Sequence, residues 1–151
     1  MIDRDIKRSL GQMMKGVEVV GARHDGMTCA YTSHWVTQVS FEEPIVMASV
    51  SPKHDTYPLI IASGEFSVSM LAGDQITEGQ YFSYPGRKFR HMATELIADW
   101  PGDPTGPPIV PNSIAHLRCR VLSEQSMEDH QLVFARVEQV IEGRLKEPPL
   151  L

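Results

Sequence analysis

Positive charge, cysteine and long apolar runs are all scarce in this sequence, and each scarcity removes a class of function. Lys and Arg number 14 against 19 Asp and Glu, a net charge of −5. That balance offers no broad basic surface to neutralise a phosphate backbone, so a nucleic-acid partner is not expected. A local basic cluster is still enough to hold one small anion. The two cysteines, Cys29 and Cys119, form neither a CxxC pair nor a metal-ligand pattern, and read as small buried hydrophobes. No stretch approaches the roughly 20 apolar residues of a membrane span, and the charged start, MIDRDIKRSLGQMMKG, has no apolar signal core. The expectation is a cytoplasmic protein with no membrane partner. Also missing are a GxSxG elbow, a GxxxxGKS phosphate loop and a strand–GxGxxG–helix unit. Histidines 24, 34, 54, 91, 116 and 130 show no His-x-His or His-x-x-x-His spacing, so a zinc site would have to be assembled from distant residues.

What is there is a soluble globular composition, 42% hydrophobic and 22% charged over 151 residues, which suits one domain spanning 1–151. Ile2, Ile6, Leu10, Met13 and Met14 recur at helical spacing, with Gly16 as a stop. VEVVGA predicts a strand, Asp25-Gly26 a hairpin turn, and MTCAYTSHWVTQVS a return strand with a bend. IVMASV reads as a buried strand and TYPLIIASG as a short helix ending at Gly64. EFSVSMLA alternates, with Phe66, Val68 and Met70 on one face and Ser67 and Ser69 on the other. DQITEGQYFSY reads as a helix capped by Asp74. The Pro- and Gly-rich stretch 99–113 is an extended loop or arm, with Asp99 and Asp103 read as solvated. Two long strands, IAHLRCRVLSEQSM and DHQLVFARVEQVIEG, complete the sheet, and the tail is expected to dock through Leu150 and Leu151. About six strands without long crossover helices predict an antiparallel, closed or nearly closed barrel.

The run YTSHWVTQVS crowds hydrogen-bonding groups onto a strand: Thr32, Ser33, His34, Thr37 and Gln38 beside Trp35. Ser49, Ser51, Lys53, His54 and Thr56 follow the next strand. If the two strands pair, these residues line one rim suited to a flat, hydrogen-bond-rich ligand carrying a phosphate. Equally, they can cap turns and face solvent. Arg87, Lys88 and Arg90 in PGRKFRH form a solvated charge run or a second contribution to an anion site.

AYTSHWVTQVSFEEPIVMASVSPKHDTYPLI, GEFSVSML, SYPGRKF and EDHQLVFARV together resemble the flavin reductase-like and flavoredoxin family, over most of residues 10 to 142. The motifs are loose singly; their order and spacing are specific together. Gly26-Met27-Thr28 mimics the family's GMT but stands too far before Val39-Ser40, which aligns Ala30-Tyr31-Thr32 instead. The resemblance implies a six-stranded, mostly β, antiparallel split β-barrel that binds FMN, with FAD as the alternative. It implies an NAD(P)H-dependent flavin reductase that transfers a hydride from a transient nicotinamide donor. The alternative is a flavoredoxin-like electron carrier holding FMN permanently; a pyridoxamine-phosphate-oxidase-like barrel fits less well. By resemblance, Thr32, Ser33, His34, Trp35, Thr37 and Gln38 face the isoalloxazine. Ser49, Ser51, Lys53, His54 and Thr56 surround the ribityl and phosphate groups, and Arg87 and Lys88 approach the phosphate or the cofactor edge, from this subunit or its neighbour. His130 is the catalytic candidate, positioning the donor or supplying a proton, or else a structural histidine. A homodimer and a monooxygenase or redox-protein partner are further implications. Ser69, Ser33-His34 and Glu128 depart from the family pattern and bear on the electron donor more than on flavin binding.

Overall fold

The computed structural model describes residues 2–83 and 96–151. Helix α1 (Arg4–Leu10) is capped by Asp3, whose carboxylate accepts from the backbone N–H of Asp5 and Ile6. It stops short of the apolar periodicity, which continues to Met14, and buries none of its residues.

Strands β1 (Glu18–His24) and β2 (Met27–Ser33) form the expected hairpin. Asp25 and Gly26 turn it with φ of 49° and 76°, the positive angles a type I′ turn needs. The return strand does not run on. It ends at Ser33, and β3 (Val36–Gln38) pairs with β4 (Ile45–Val50) instead of β1. With β5 (Glu65–Met70), β6 (Ala115–Met127) and β7 (His130–Glu142), one sheet of seven strands results, in the order β2-β1-β5-β6-β7-β4-β3. The seventh strand is the one the sequence run concealed.

That order fixes the curvature. β2 and β3 occupy the two edges, yet only His34 and Trp35 separate them in the chain, a reach of roughly 10 Å at full extension. The edges must approach each other, so the antiparallel sheet curls into the expected split barrel. Inside it pack Val20, Ala22, Val46, Ala48, Phe66, Val68, Val133 and Ala135, with Leu59 and Ile60 of α2 (Thr56–Ser63) against them. Gly64 ends α2 in the left-handed region at φ 74°.

A second core lies on the other face of β1 and β5. Val17, Val19, Leu71, Phe82 and Val110 form it, with Leu150 packed against them. Ser67 and Ser69 are fully buried, because the 99–113 arm lies over them: Ser67 Oγ donates to the Pro108 carbonyl, and Ser69 Oγ accepts the Val110 N–H at 3.0 Å. Gly21 admits that arm, since a Cβ there would meet Pro108 Cγ at 2.9 Å. Asp99 and Asp103 are not simply solvated; they pair with Arg23 and Arg118, each at 2.9 Å. Helix α3 (Ile76–Tyr81) begins after Gln75, while Asp74 pairs with Arg144 at 2.7 Å instead of capping. The tail docks through Leu150, whose N–H and carbonyl bond Leu71 and Val17. Leu151 remains 71% exposed. Among the described residues no helix is long and apolar enough to cross a membrane, and no cluster of metal-ligating side chains forms.

Candidate functional site

The break after β2 builds the site. The Trp35 N–H turns back to Ser33 Oγ at 3.0 Å, and the Trp35 carbonyl accepts the Ser49 N–H at 2.9 Å. This hands the chain from the β1 side of the barrel to β4 and leaves His34 and Trp35 exposed. Beyond β4, Ser51 starts a turn: its carbonyl accepts the His54 N–H at 3.0 Å and its hydroxyl accepts the Lys53 N–H at 3.3 Å. β7 pairs with β4 so that Val50 stands opposite Gln131, which brings His130 to the same place. A pocket of about 160 Å³ results, lined by Tyr31, Thr32, Ser33, His34 and Trp35 from one side and by Ser49, Ser51, His54 and His130 from the other.

Two ring contacts organise it. His54 stacks on Tyr31 with centroids 4.9 Å apart, and Trp35 meets His130 edge-on at the same separation. Tyr31 is buried and its hydroxyl has no hydrogen-bond partner among the described residues; burial holds the phenol protonated far above its ordinary range. Burial, reinforced by the nearby His130, lowers the pKa of His54 and favours its neutral form. His130 Nδ1 lies 2.8 Å from Asp129 Oδ1. That bond holds the Asp129 carboxyl below the usual carboxylate range, with Lys53 adding a smaller contribution.

Of the residues expected to face a ligand, the structure therefore brings together Thr32, Ser33, His34, Trp35, Ser49, Ser51, His54 and His130. Thr32 already donates its hydroxyl to the Gly79 carbonyl at 2.6 Å. Lys53 is exposed on the adjoining turn. Thr37 and Gln38 are not brought in: they line a different cavity, on the β3 side. Thr56 is 2% exposed and faces the core from the first turn of α2. Arg87 and Lys88, with Arg90, lie outside the described residues. Sequence reasoning passed over Tyr31 and Glu18. Strand alternation offered the signal for Glu18, because it shares a face with the buried Val20 and Ala22.

The donor set suits a flavin: hydroxyls and strand backbone can meet a polar ring edge, and a half-exposed indole can meet a flat face. At about 160 Å³ the pocket is smaller than the roughly 300 Å³ and above that encloses a small molecule. Its neighbour, about 470 Å³, shares His34 and Trp35 and adds Met13, Met14 and Leu151, all exposed.

Comparison with known proteins agrees with this geometry. The flavin reductase like domain model matches residues 10–151. The chain is 31% identical to the reductase subunit HsaB of a flavin-dependent monooxygenase from Rhodococcus jostii (strain RHA1), over 98% of this chain and 73% of that one. It is 30% identical to the NADH:riboflavin 5'-phosphate oxidoreductase of Streptomyces pristinaespiralis, over 89% of this chain and 72% of that one. The crystal structure of nitrilotriacetate monooxygenase component B from Mycobacterium thermoresistibile superposes with a TM-score of 0.82 at 29% identity, covering 97% of this chain and 79% of that one. A curled antiparallel barrel with a hydroxyl- and imidazole-lined rim thus has a family to which it belongs. The chain is a member of the flavin reductase-like domain family.

Proposed function

We propose that this chain is an NADH-dependent flavin reductase, the reductase component of a two-component monooxygenase, acting as a homodimer in the cytoplasm with FMN as the preferred flavin. The observation that carries the reading is the convergence of Thr32–Trp35 with Ser49, Ser51, His54 and His130 on one rim, in a chain matched by the flavin reductase-like model from residue 10 to the end. A bound flavin supplies the redox chemistry, accepting a hydride and passing electrons on.

The residues of this chain bind, orient and move protons. Ser49 and Ser51 offer hydroxyls, and Lys53 with the first N–H groups of α2 favours an anionic group beside them. The Trp35 indole provides a flat apolar surface and holds the His130 ring in place. Asp129 fixes the His130 tautomer, leaving Nε2 as the proton-handling atom at the rim. A second copy would complete the small pocket: the exposed apolar side chains of Met13, Met14 and Leu151 lie beside Trp35 and His34 and suit burial against a partner.

NADH oxidation measured with added free FMN tests the activity. Fast turnover of free flavin supports the reductase. A protein that arrives yellow, keeps flavin through desalting and leaves added FMN unreduced would overturn it in favour of the electron carrier. Light scattering during gel filtration tests the dimer.

A further inference from the structure

The cavity on the β3 side contains a feature the flavin reading does not use. Its volume is about 320 Å³, at the lower end of the range of small-molecule sites, roughly 300–1,000 Å³. Its walls are Val36, Val46, Val68, Met70, Leu117 and Val137, contributed by β3, β4, β5, β6 and β7. One ionisable side chain stands among them, Glu18 of β1. Alternation places Glu18 on the inward face with Val20 and Ala22, where a carboxyl is costly unless it is paired. Its Oε2 is buried without a hydrogen-bond partner among the described residues. A Cβ on Gly16 would come within 2.8 Å of Oε1, so that glycine gives the carboxyl room.

No described residue of the wall gives Oε2 a hydrogen bond. Ser33 and Met70 stand opposite Glu18 on the adjacent strands β2 and β5, and neither carries a positive charge. The lining residues from β3, β4, β6 and β7 are apolar except Thr37 and Gln38 at the exposed edge. The buried Tyr31 phenol, coupled to Glu18, keeps its proton and offers a neutral donor but no positive charge. We infer that this cavity is a second ligand site, distinct from the rim pocket, that takes a compact apolar amine whose ammonium group pairs with Glu18. Burial raises the Glu18 carboxyl from 4.5 to about 7, so ammonium binding at lower pH must expel its proton.

Titration of the full chain with benzylamine and with its neutral isostere benzyl alcohol, by calorimetry in buffers of different ionisation enthalpy, tests this. Benzylamine is expected to bind roughly tenfold more tightly at about pH 8 than at about pH 6, with nearly one proton released per molecule at the lower pH. Benzyl alcohol is expected to bind more weakly, with no such release. Glu18→Gln should remove the pH dependence and weaken the amine about tenfold or more, and Val36→Phe should block both probes with Glu18 in place. Absence of benzylamine binding, equal affinity for the two probes at about pH 8, or full affinity in Glu18→Gln would each overturn the site. If Glu18→Gln does not fold, proton release by the unaltered chain decides alone. NADH oxidation plays no part in the readout, so failure here and failure of the reductase reading are separable.

Discussion

The chain from Thr32 to Gln38 runs past two pockets of opposite character. Thr32, Ser33, His34 and Trp35 line the first, with Ser49, Ser51, His54 and His130 opposite them; Val36, Thr37 and Gln38 line the second, with valines, a leucine and a methionine opposite. In the first, polar groups are numerous and mostly exposed or partnered, the buried Tyr31 hydroxyl excepted. In the second, one carboxyl faces an apolar wall, and burial raises its pKa. The lesson is that polarity alone does not mark a reactive site. A crowd of hydrogen-bonding groups can position a ligand, whereas a buried carboxyl on an apolar wall calls for a partner.

The largest expected effect breaks the second pocket. Glu18 binds a proton in the folded chain between its ordinary 4.5 and about 7, where the unfolded chain has lost it. Its contribution to stability is therefore lost as pH rises through that window, to a total of about 2–4 kcal/mol. Urea unfolding of the unaltered chain and of Glu18→Gln, compared from about pH 5 to about pH 8, should show the difference between them growing by that amount. A constant difference would mean that the carboxyl is solvated.

The next effect belongs to the first pocket. Trp35 is 50% exposed, so Trp35→Ala should leave the melting temperature nearly unchanged while removing the flat surface and the contact that steadies His130. Affinity for FMN, followed by fluorescence quenching, should fall about tenfold, or about 1.4 kcal/mol. Unfolding with unchanged affinity would make Trp35 a packing residue.

A smaller effect concerns acid. Burial lowers the pKa of both His54 and His116, so the unfolded chain takes up protons first as pH falls below the ordinary histidine value of 6.5. Stability should decline below that pH, and His54→Gln should flatten part of the decline in a thermal-unfolding series. The smallest effect is a null one that sharpens the division between pockets. Thr37→Ala and Gln38→Ala should leave FMN affinity within about twofold of the starting value, or about 0.4 kcal/mol. A tenfold loss in either would join the two cavities into one site.

Much of the barrel was legible in the sequence. The Asp25-Gly26 turn, the apolar run of IVMASV and the stop at Gly64 all express local rules. The grouping of Thr32–Trp35 with Ser49, Ser51, His54 and His130 was legible too, through the resemblance that those residues carry. Less was legible wherever a residue's surroundings come from far along the chain. Ser67 and Ser69 read only as the face opposite Phe66 and Val68, and the arm carrying Pro108 and Val110 buries that face as well. Asp74 looked like a cap, and Arg144, 70 residues away, takes it instead. Thr56 looked available to a ligand, and packing of α2 against the barrel turns it inward.

By itself, then, the sequence determined the strands, the hairpin and the residue types at the rim, because propensity, turn chemistry and alternation act between near neighbours. Only the tertiary structure decided where one strand became two, which donors shared a pocket, and that Glu18 faced an apolar wall. Those outcomes depend on curling the sheet until its edges meet. The contacts that drive the curling join residues that local rules never compare.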